Sequence, residues 1–222
     1  MKRSKTKAGR KRPPRQVENS DNLAMPLKKK NADAFSVKEE QIINEAVRLF
    51  AEKGYHTTTL DEIASKLGIT KAALYYYFSS KNHILRSIMK RSVLSMNQTI
   101  RIGRTDAAVL EKLHDMIVFI TQLAGTTQDQ AKIFFEQIDL LPSRTRVVLK
   151  RREKEIINTM KIILDDGVDK DIFEIKDTKL CTYMILGLCN WTYHWYKEDG
   201  TLSPEEIGEI AADLVLRGIV KR

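Results

Sequence analysis

Long apolar stretches are missing from this chain. No run of about 18 apolar residues occurs, so no transmembrane span is expected. The N-terminus lacks the apolar core of a signal peptide, and a cytoplasmic location is expected. Cysteine is nearly absent: Cys181 and Cys189 both sit inside an apolar helical pattern. Two buried thiols in a reducing compartment fit that pattern better than a disulfide or a metal site. His56, His83, His114 and His194 are scattered without ligand spacing. Nucleophile-elbow, phosphate-loop and zinc-protease motifs are absent too, so no catalytic residue, no metal and no cofactor is expected. Strand-like alternation and fixed-period repeats are likewise missing, leaving helices as the element type.

Positive charge is present in excess, and unevenly. The formal net charge is +9. Residues 1–35 hold 11 Lys/Arg against 3 Asp/Glu, and residues 98–222 hold 18 against 20. The excess therefore lies in a basic arm, residues 1–35, with two adjacent prolines and no periodicity; it is expected to be disordered when free. Such an arm either adds counterion-release affinity for DNA or is a solubilising leader.

Residues 57–81, TTTLDEIASKLGITKAALYYYFSSK, organise the rest. Leu60, Ile63, Ala64 and Leu67 fall at i, i+3, i+4 and i+7, one face of a helix. Thr59 and Glu62 make a T-x-x-E capping box, and Gly68 supplies a positive φ to end the helix. Thr70 caps a second helix beginning at Lys71. Two short helices joined by a Gly-containing turn are the helix-turn-helix layout, whose second helix enters the major groove. The spacing assigns Thr59, Thr70, Lys71, Ala72, Ala73, Tyr75, Tyr76, Tyr77 and Lys81 to double-stranded DNA. Small residues let the helix approach base edges, Thr and Lys bond bases or phosphates, and three consecutive Tyr cannot all be buried. Lys81 adds a cation near the backbone.

LFAEKGYHTTT, IASKLGIT and LYYYFSSK stand in that order and at matching spacing in a pattern that resembles the tetracycline-repressor (TetR) family of bacterial regulators. The likeness covers residues 36–97; Ala73 departs from the Gly or Thr common there. The resemblance implies an all-α fold: a three-helix DNA-binding domain, residues 36–82, and a helical ligand-binding and dimerisation domain, residues 83–222. It also implies a homodimer on a palindromic operator, released by a small-molecule effector and without a membrane role. Ser36 with Glu39 is read as a capping box that starts the first helix.

Downstream, the pattern gives a helix from Val109 to near Gly125 and another stopped by Pro142. A long helix capped by Ser143 runs to about Asp166 with Gly167 after it, and one opened by Asp177 reaches about Tyr196. The last opens at Ser203–Pro204 with Glu206 at its third position. Residues 178–196 are apolar nearly all round, as a helix covered on two sides must be. Arg152 falls on the apolar stripe of Leu149, Ile156, Met160 and Ile163, with Arg144, Arg146 and Arg151 near it. A charge there needs a partner — Glu136, Asp139 or Glu153 — or an anionic ligand.

Asn190, Trp191, Thr192, Trp195 and Tyr196 form an NWT-x-x-WY segment that looks like the tail of regulators responding to coenzyme A thioesters. That likeness implies an acyl-CoA effector held by Arg144, Arg151, Arg152, Phe134, Asn190, Trp191 and Trp195. Alternatively, both tryptophans fill the dimer interface. Three other readings compete. A repressor of an efflux or detoxification gene, released by a lipophilic drug, would want acidic or many aromatic residues, and aromatics are 7%. An enzyme with an attached DNA module lacks a catalytic constellation. An architectural DNA-binding protein would have a solid C-terminal core.

Overall fold

The computed structural model describes residues 25–222, with side chains from Phe35 onward, that of Leu140 excepted. The helices are α1 (Met25–Lys53), α2 (Leu60–Lys66), α3 (Lys71–Tyr77), α4 (Lys81–Gly103), α5 (Val109–Thr126), α6 (Gln128–Gln137), α7 (Ser143–Asp169), α8 (Thr178–Trp195) and α9 (Pro204–Ile219). A 3-10 turn, Ile138–Leu140, joins α6 to α7. Extended pairing among the described residues is limited to one antiparallel bridge, Phe173 to Val220. The fold is all-α, as the periodicity predicts.

The chain divides into two units, Met1–Lys38 and Glu39–Arg222. In the first, α1 already runs from Met25, so Ser36 is not a helix start but an interior residue. Pro26 stands in the first turn, where its missing N–H is harmless, and residues 27–35 contain no Gly or Pro to interrupt the helix. The rest of the basic arm, residues 1–24, lies outside the described residues.

In the second unit the helix-turn-helix forms as its sequence dictates. The Thr59 hydroxyl accepts from the Glu62 amide at 3.2 Å, and that of Thr70 from the Ala73 amide at 3.1 Å. Gly68 takes φ +62°. The amides of Gly68 and Ile69 then bond the carbonyls of Ser65 and Ala64, closing a Schellman turn on α2. The Glu62 carboxylate of this box also pairs with Lys53 of α1.

Two cores result. Ile42 and Phe50 of α1, Ile63 of α2, Leu74 and Phe78 of α3, and Ile84 and Ile88 of α4 form one. It extends without a break into Phe134 of α6 and Leu141 and Leu149 beside and within α7. The second gathers α5, α7, α8 and α9 around Leu113, Met116, Ile117, Ile163 and Cys189. Cys189 is buried, and desolvation pushes its thiol up to about 11.

Two boundaries differ from the sequence pattern. Pro142, not Ser143, holds the cap position of α7; its carbonyl accepts from the amides of Thr145 and Arg146, and no side chain caps. Gly167 does not end α7, which continues to Asp169. Its missing Cβ is instead filled by Phe173, whose Cδ2 would lie 2.0 Å from it. The left-handed residue past that helix is Asp171, φ +59°. Ser203, Pro204 and Glu206 open α9 with a complete capping box, as expected.

Helices α5 and α9 cross with backbone nearly touching. A Cβ on Gly208 would lie 2.9 Å from the Val118 carbonyl oxygen and 3.0 Å from its Cα. Backbone cannot move aside as a side-chain tip can, so Gly208→Ala is expected to destabilise by about 1–3 kcal/mol. Thermal unfolding followed by circular dichroism would check this; an unchanged Tm would mean that the crossing is loose.

Candidate nucleic-acid interface and ligand cavity

The outer face of α3 is built of small and aromatic residues. Lys71, Ala72, Tyr75 and Tyr76 are exposed, Ala73 half-exposed, and Tyr76 reaches 74% exposure. Leu74 and Phe78, on the opposite side, are fully buried. This follows from the 100° step along a helix: with 74 and 78 inward, 75 and 76 must turn out. Tyr77 turns back, half-buried against the first core, its ring edge-on to that of Tyr76 with centroids 5.3 Å apart. Lys71 Nζ lies 2.8 Å from Asp61 Oδ2 of α2, and this neighbour raises its pKa. Both partners are exposed, so the pair is weak and Lys71 is free to swing.

Lys81 does something other than the sequence suggests. Its Nζ donates to three backbone carbonyls in the corner between α1 and α2: Tyr55 at 2.5 Å, His56 at 3.0 Å and Thr58 at 2.7 Å. It also sits 4.6 Å from the centroid of the Tyr55 ring. An ammonium has three N–H donors, and all three are spent here. In this structure Lys81 is thus a corner clamp; burial lowers its pKa. A T-x-x-E or Ser-Lys string does not say where a long cation folds back.

The same corner is reached from the other side by Gln137, the last residue of α6. Its Nε2 donates to the Phe50 carbonyl at 3.0 Å, and its Oε1 accepts from the Tyr55 amide at 3.1 Å.

A cavity of about 310 Å³ lies among α4, α5, α6, α7 and α8. Its walls are mostly apolar: Met96, Ile120, Leu123, Phe134, Ile156 and Leu186 contribute. Polar groups are few, among them Ser92, Ser95, Thr99, Gln130, Glu153 and Asn190. No Lys or Arg is among the described lining residues. Glu153 has no hydrogen-bond or ion-pair partner among the described residues. Tyr183 and Gly187 of α8 line the cavity and are also exposed, so it meets the surface there. A solid core, as an architectural protein would have, is not what α4 to α8 enclose.

The seven expected effector residues separate into two groups. Phe134 and Asn190 line the cavity. Arg144, Arg151, Arg152, Trp191 and Trp195 do not. Arg152 pairs with Glu155 of its own helix at 2.6 Å, which answers the partner question with none of Glu136, Asp139 or Glu153. With Arg101, Arg104 and Asn97 it borders a separate cleft. The helical register explains the split: on α7, Arg152 and Glu155 face that cleft, while Glu153, Ile156 and Ile157 face the cavity. Arg151 is exposed beside Glu155, and Arg144 is exposed at the start of α7. Trp191 is 56% and Trp195 49% exposed, on a stripe with Leu180, Met184 and Leu188. Ile210 and Leu214 of α9 are exposed likewise.

Sequence reasoning missed the cavity side of α4. Ser92, Ser95, Met96 and Thr99 follow i, i+3, i+4 and i+7, a signal that was readable but looks like an ordinary semi-polar face. Glu153 was legible only as a candidate partner for Arg152, since nothing in the run Arg152, Glu153, Lys154, Glu155 marks it as a cavity residue.

Replacing Lys81 by Met keeps the stem and removes the donors. Lys81→Met should lower Tm by about 2–6 °C, because three carbonyls lose their partner, and should weaken DNA binding in step. Unchanged Tm with weakened DNA binding would return Lys81 to phosphate contact.

Residues 42–88 match the family described as bacterial regulatory proteins, tetR family. Residues 106–219 match the tetracyclin repressor-like C-terminal domain. The biofilm operon icaADBC negative transcriptional regulator IcaR of Staphylococcus aureus is 33% identical over 137 residues, 55% of this chain and 74% of IcaR. The structure of the ketosteroid transcriptional regulator KstR2 of Mycobacterium tuberculosis superposes with a TM-score of 0.73 at 24% identity, covering 83% of this chain and 96% of that one. That of AibR in complex with isovaleryl coenzyme A and operator DNA superposes with a TM-score of 0.66 at 23% identity, covering 79% and 96%.

Proposed function

The chain belongs to the tetR family of bacterial regulatory proteins, and we propose that it is a homodimeric repressor released from a palindromic operator by a coenzyme A thioester with a short acyl group. The cavity carries this reading. Its volume of about 310 Å³ equals roughly ten waters in the liquid, at the lower end for ligand sites. That suits a compact apolar group such as a short or branched acyl chain, and it is far too small for a whole coenzyme A. The nucleotide portion would lie outside, over α8, where Tyr183 and Gly187 mark the mouth and Trp191 offers a ring one turn on. The bound isovaleryl coenzyme A of AibR supports the ligand class. No protein cofactor enters this scheme; the thioester is the effector.

DNA is met by the exposed side of α3. Lys71, Ala72 and Ala73 stand at the N-terminal turn, where a helix in the major groove reaches base edges. Thr59 and Thr70 hold the two helix starts that flank a phosphate path, and Tyr75 and Tyr76 present phenols toward it. One such module reads half an operator. The apolar stripes of α8 and α9, left open to solvent in one chain, supply the face on which a second copy would pack. Tyr76→Phe should weaken binding by about tenfold on operator and random duplex alike, as loss of one phosphate bond does. Lys71→Ala should reduce discrimination between them. Equal loss for Lys71→Ala on both duplexes would remove it from base reading.

A second reading has one specific observation behind it. Glu153 is a partnerless carboxylate in an apolar wall, where a lipophilic cation would be attracted. A fluorescence-anisotropy titration on labelled operator separates the two. Isovaleryl-CoA or a similarly short acyl-CoA should release the protein, with palmitoyl-CoA and free coenzyme A at least about tenfold weaker. Glu153→Gln should leave that release intact. Release by a hydrophobic amine instead, lost in Glu153→Gln, would replace the thioester by a cationic drug.

A further inference from the structure

Helix α6 is only ten residues long and is fastened at both ends by side-chain amides to backbone of other elements. At its first residue, Gln128 Nε2 donates to the carbonyls of Tyr193 at 2.9 Å and Tyr196 at 2.8 Å, at the end of α8. Phe135 stacks on Tyr193 with centroids 5.4 Å apart and planes 16° from parallel. At its last residue, Gln137 holds Phe50 and Tyr55 in the corner after α1. Between these ends, Gln130, Ala131, Phe134 and Phe135 form one wall of the cavity.

Each end has a physical reason. The final carbonyls of a helix and the amides just beyond it lack intrahelical partners. A primary amide carries a donor and an acceptor on one plane, so a single Gln can satisfy one of each. Tyr55 N is such an amide, and Phe50 O, which already accepts from the Gly54 amide at 2.9 Å, takes a second bond; a carboxylate could accept from Tyr55 but would face the Phe50 oxygen with no proton to give. A helix of this length is about 15 Å long and stiff. Held to α8 by two bonds at its first residue and by the Phe135 ring near its last, it answers a body pressing on Ala131 and Phe134 by shifting along its length, and Gln137 carries that shift to the corner.

We propose that the Gln137 amide is the positioning residue through which occupancy of the α4–α8 cavity moves the α1–α2 corner, and with it the recognition helix. This rests on the ligand-responsive reading above, but not on which effector fills the cavity. The corner is also held by Lys81 from α4, so it has two fastenings, one from each element. Ile84, Leu85, Ile88 and Met89 bury the first half of α4 in the same core as α1 to α3, so that part of α4 travels with the DNA module. Ile133 and Phe134 place α6 in that core as well, and the Gln137 clasp is the polar contact that passes a shift of α6 to the corner.

The test needs no effector. The cavity is filled covalently by Ala131→Phe on α6, or by Ala124→Met on α5, which leaves the α6 sequence intact. Full-length protein is titrated against a duplex selected by the wild-type chain from a random pool. Each filler is made with residue 137 as Gln, Leu or Glu. Circular dichroism and light scattering check folding and dimer state, and the filler that retains both is read. With Gln137, filling should weaken operator binding by about tenfold, in the usual range of coupling between sites. With Gln137→Leu or Gln137→Glu the same filler should change it less than about threefold. Each unfilled residue-137 variant is the reference for its own filled form, so a loss of operator binding common to both cancels. An equal effect of filling in all three backgrounds, or no effect with Gln137 present, overturns the proposal. A failed release by acyl-CoA would leave this result unchanged and would count against the thioester alone.

Discussion

Three backbone carbonyls, those of Tyr55, His56 and Thr58, converge on one ammonium, Lys81 Nζ. The residues between α1 and α2 must turn sharply, and a turn cannot use its own carbonyls as a helix does. Without a cation inside that bend, the oxygens would need water, and α2 could not lie against α1. With it, the first residue of α4 holds the corner from which α2 and α3 depart. The buried Thr58 hydroxyl adds bonds to the carbonyls of Leu49 and Gly54, and Gly54 reaches φ +91° to start the bend. The orientation of the recognition helix is therefore set where α1, α4 and α6 meet, not within the helix-turn-helix alone.

That meeting point also joins the two parts of the second unit. The core around Phe50 and Phe78 continues into Phe134, Leu141 and Leu149, so apolar burial does not stop at the border between the DNA module and the sensor helices. Such packing transmits displacement because it is close to incompressible. The second core, at the other end, closes α5 on α9 through Gly208 and is reinforced where His114 stands between Asp115 and Glu209. A hydrogen bond to Asp115, with Glu209 adding to it, raises that imidazole's pKa.

Charge and apolar surface are kept apart in the sensor. The cavity takes its walls from one face of α4 and α7, while Arg101, Arg104 and Arg152 occupy a cleft on another. An apolar guest avoids the desolvation that a guanidinium in the cavity wall would impose. It also means that an anionic effector cannot use Arg152 and the cavity wall as one site.

What the sequence determined by itself is mostly local: helix periodicity, the caps at Thr59, Thr70, Asp177 and Ser203, the left-handed Gly68, and hence the helix-turn-helix. These depend on neighbours within five residues, which a string of letters displays. Long-range placement was decided only by the tertiary structure. Lys81 reaches back across 23 to 26 residues and Gln137 across 82 to 87, and neither reach leaves a mark in the local pattern. Gly167 signalled a helix end, yet it serves a ring, Phe173, that the chain brings back onto it. Arg152 shared a stripe with Leu149 and Ile156, but a stripe on a helix wraps a wide arc, and which part faces a cavity depends on the helices packed beside it.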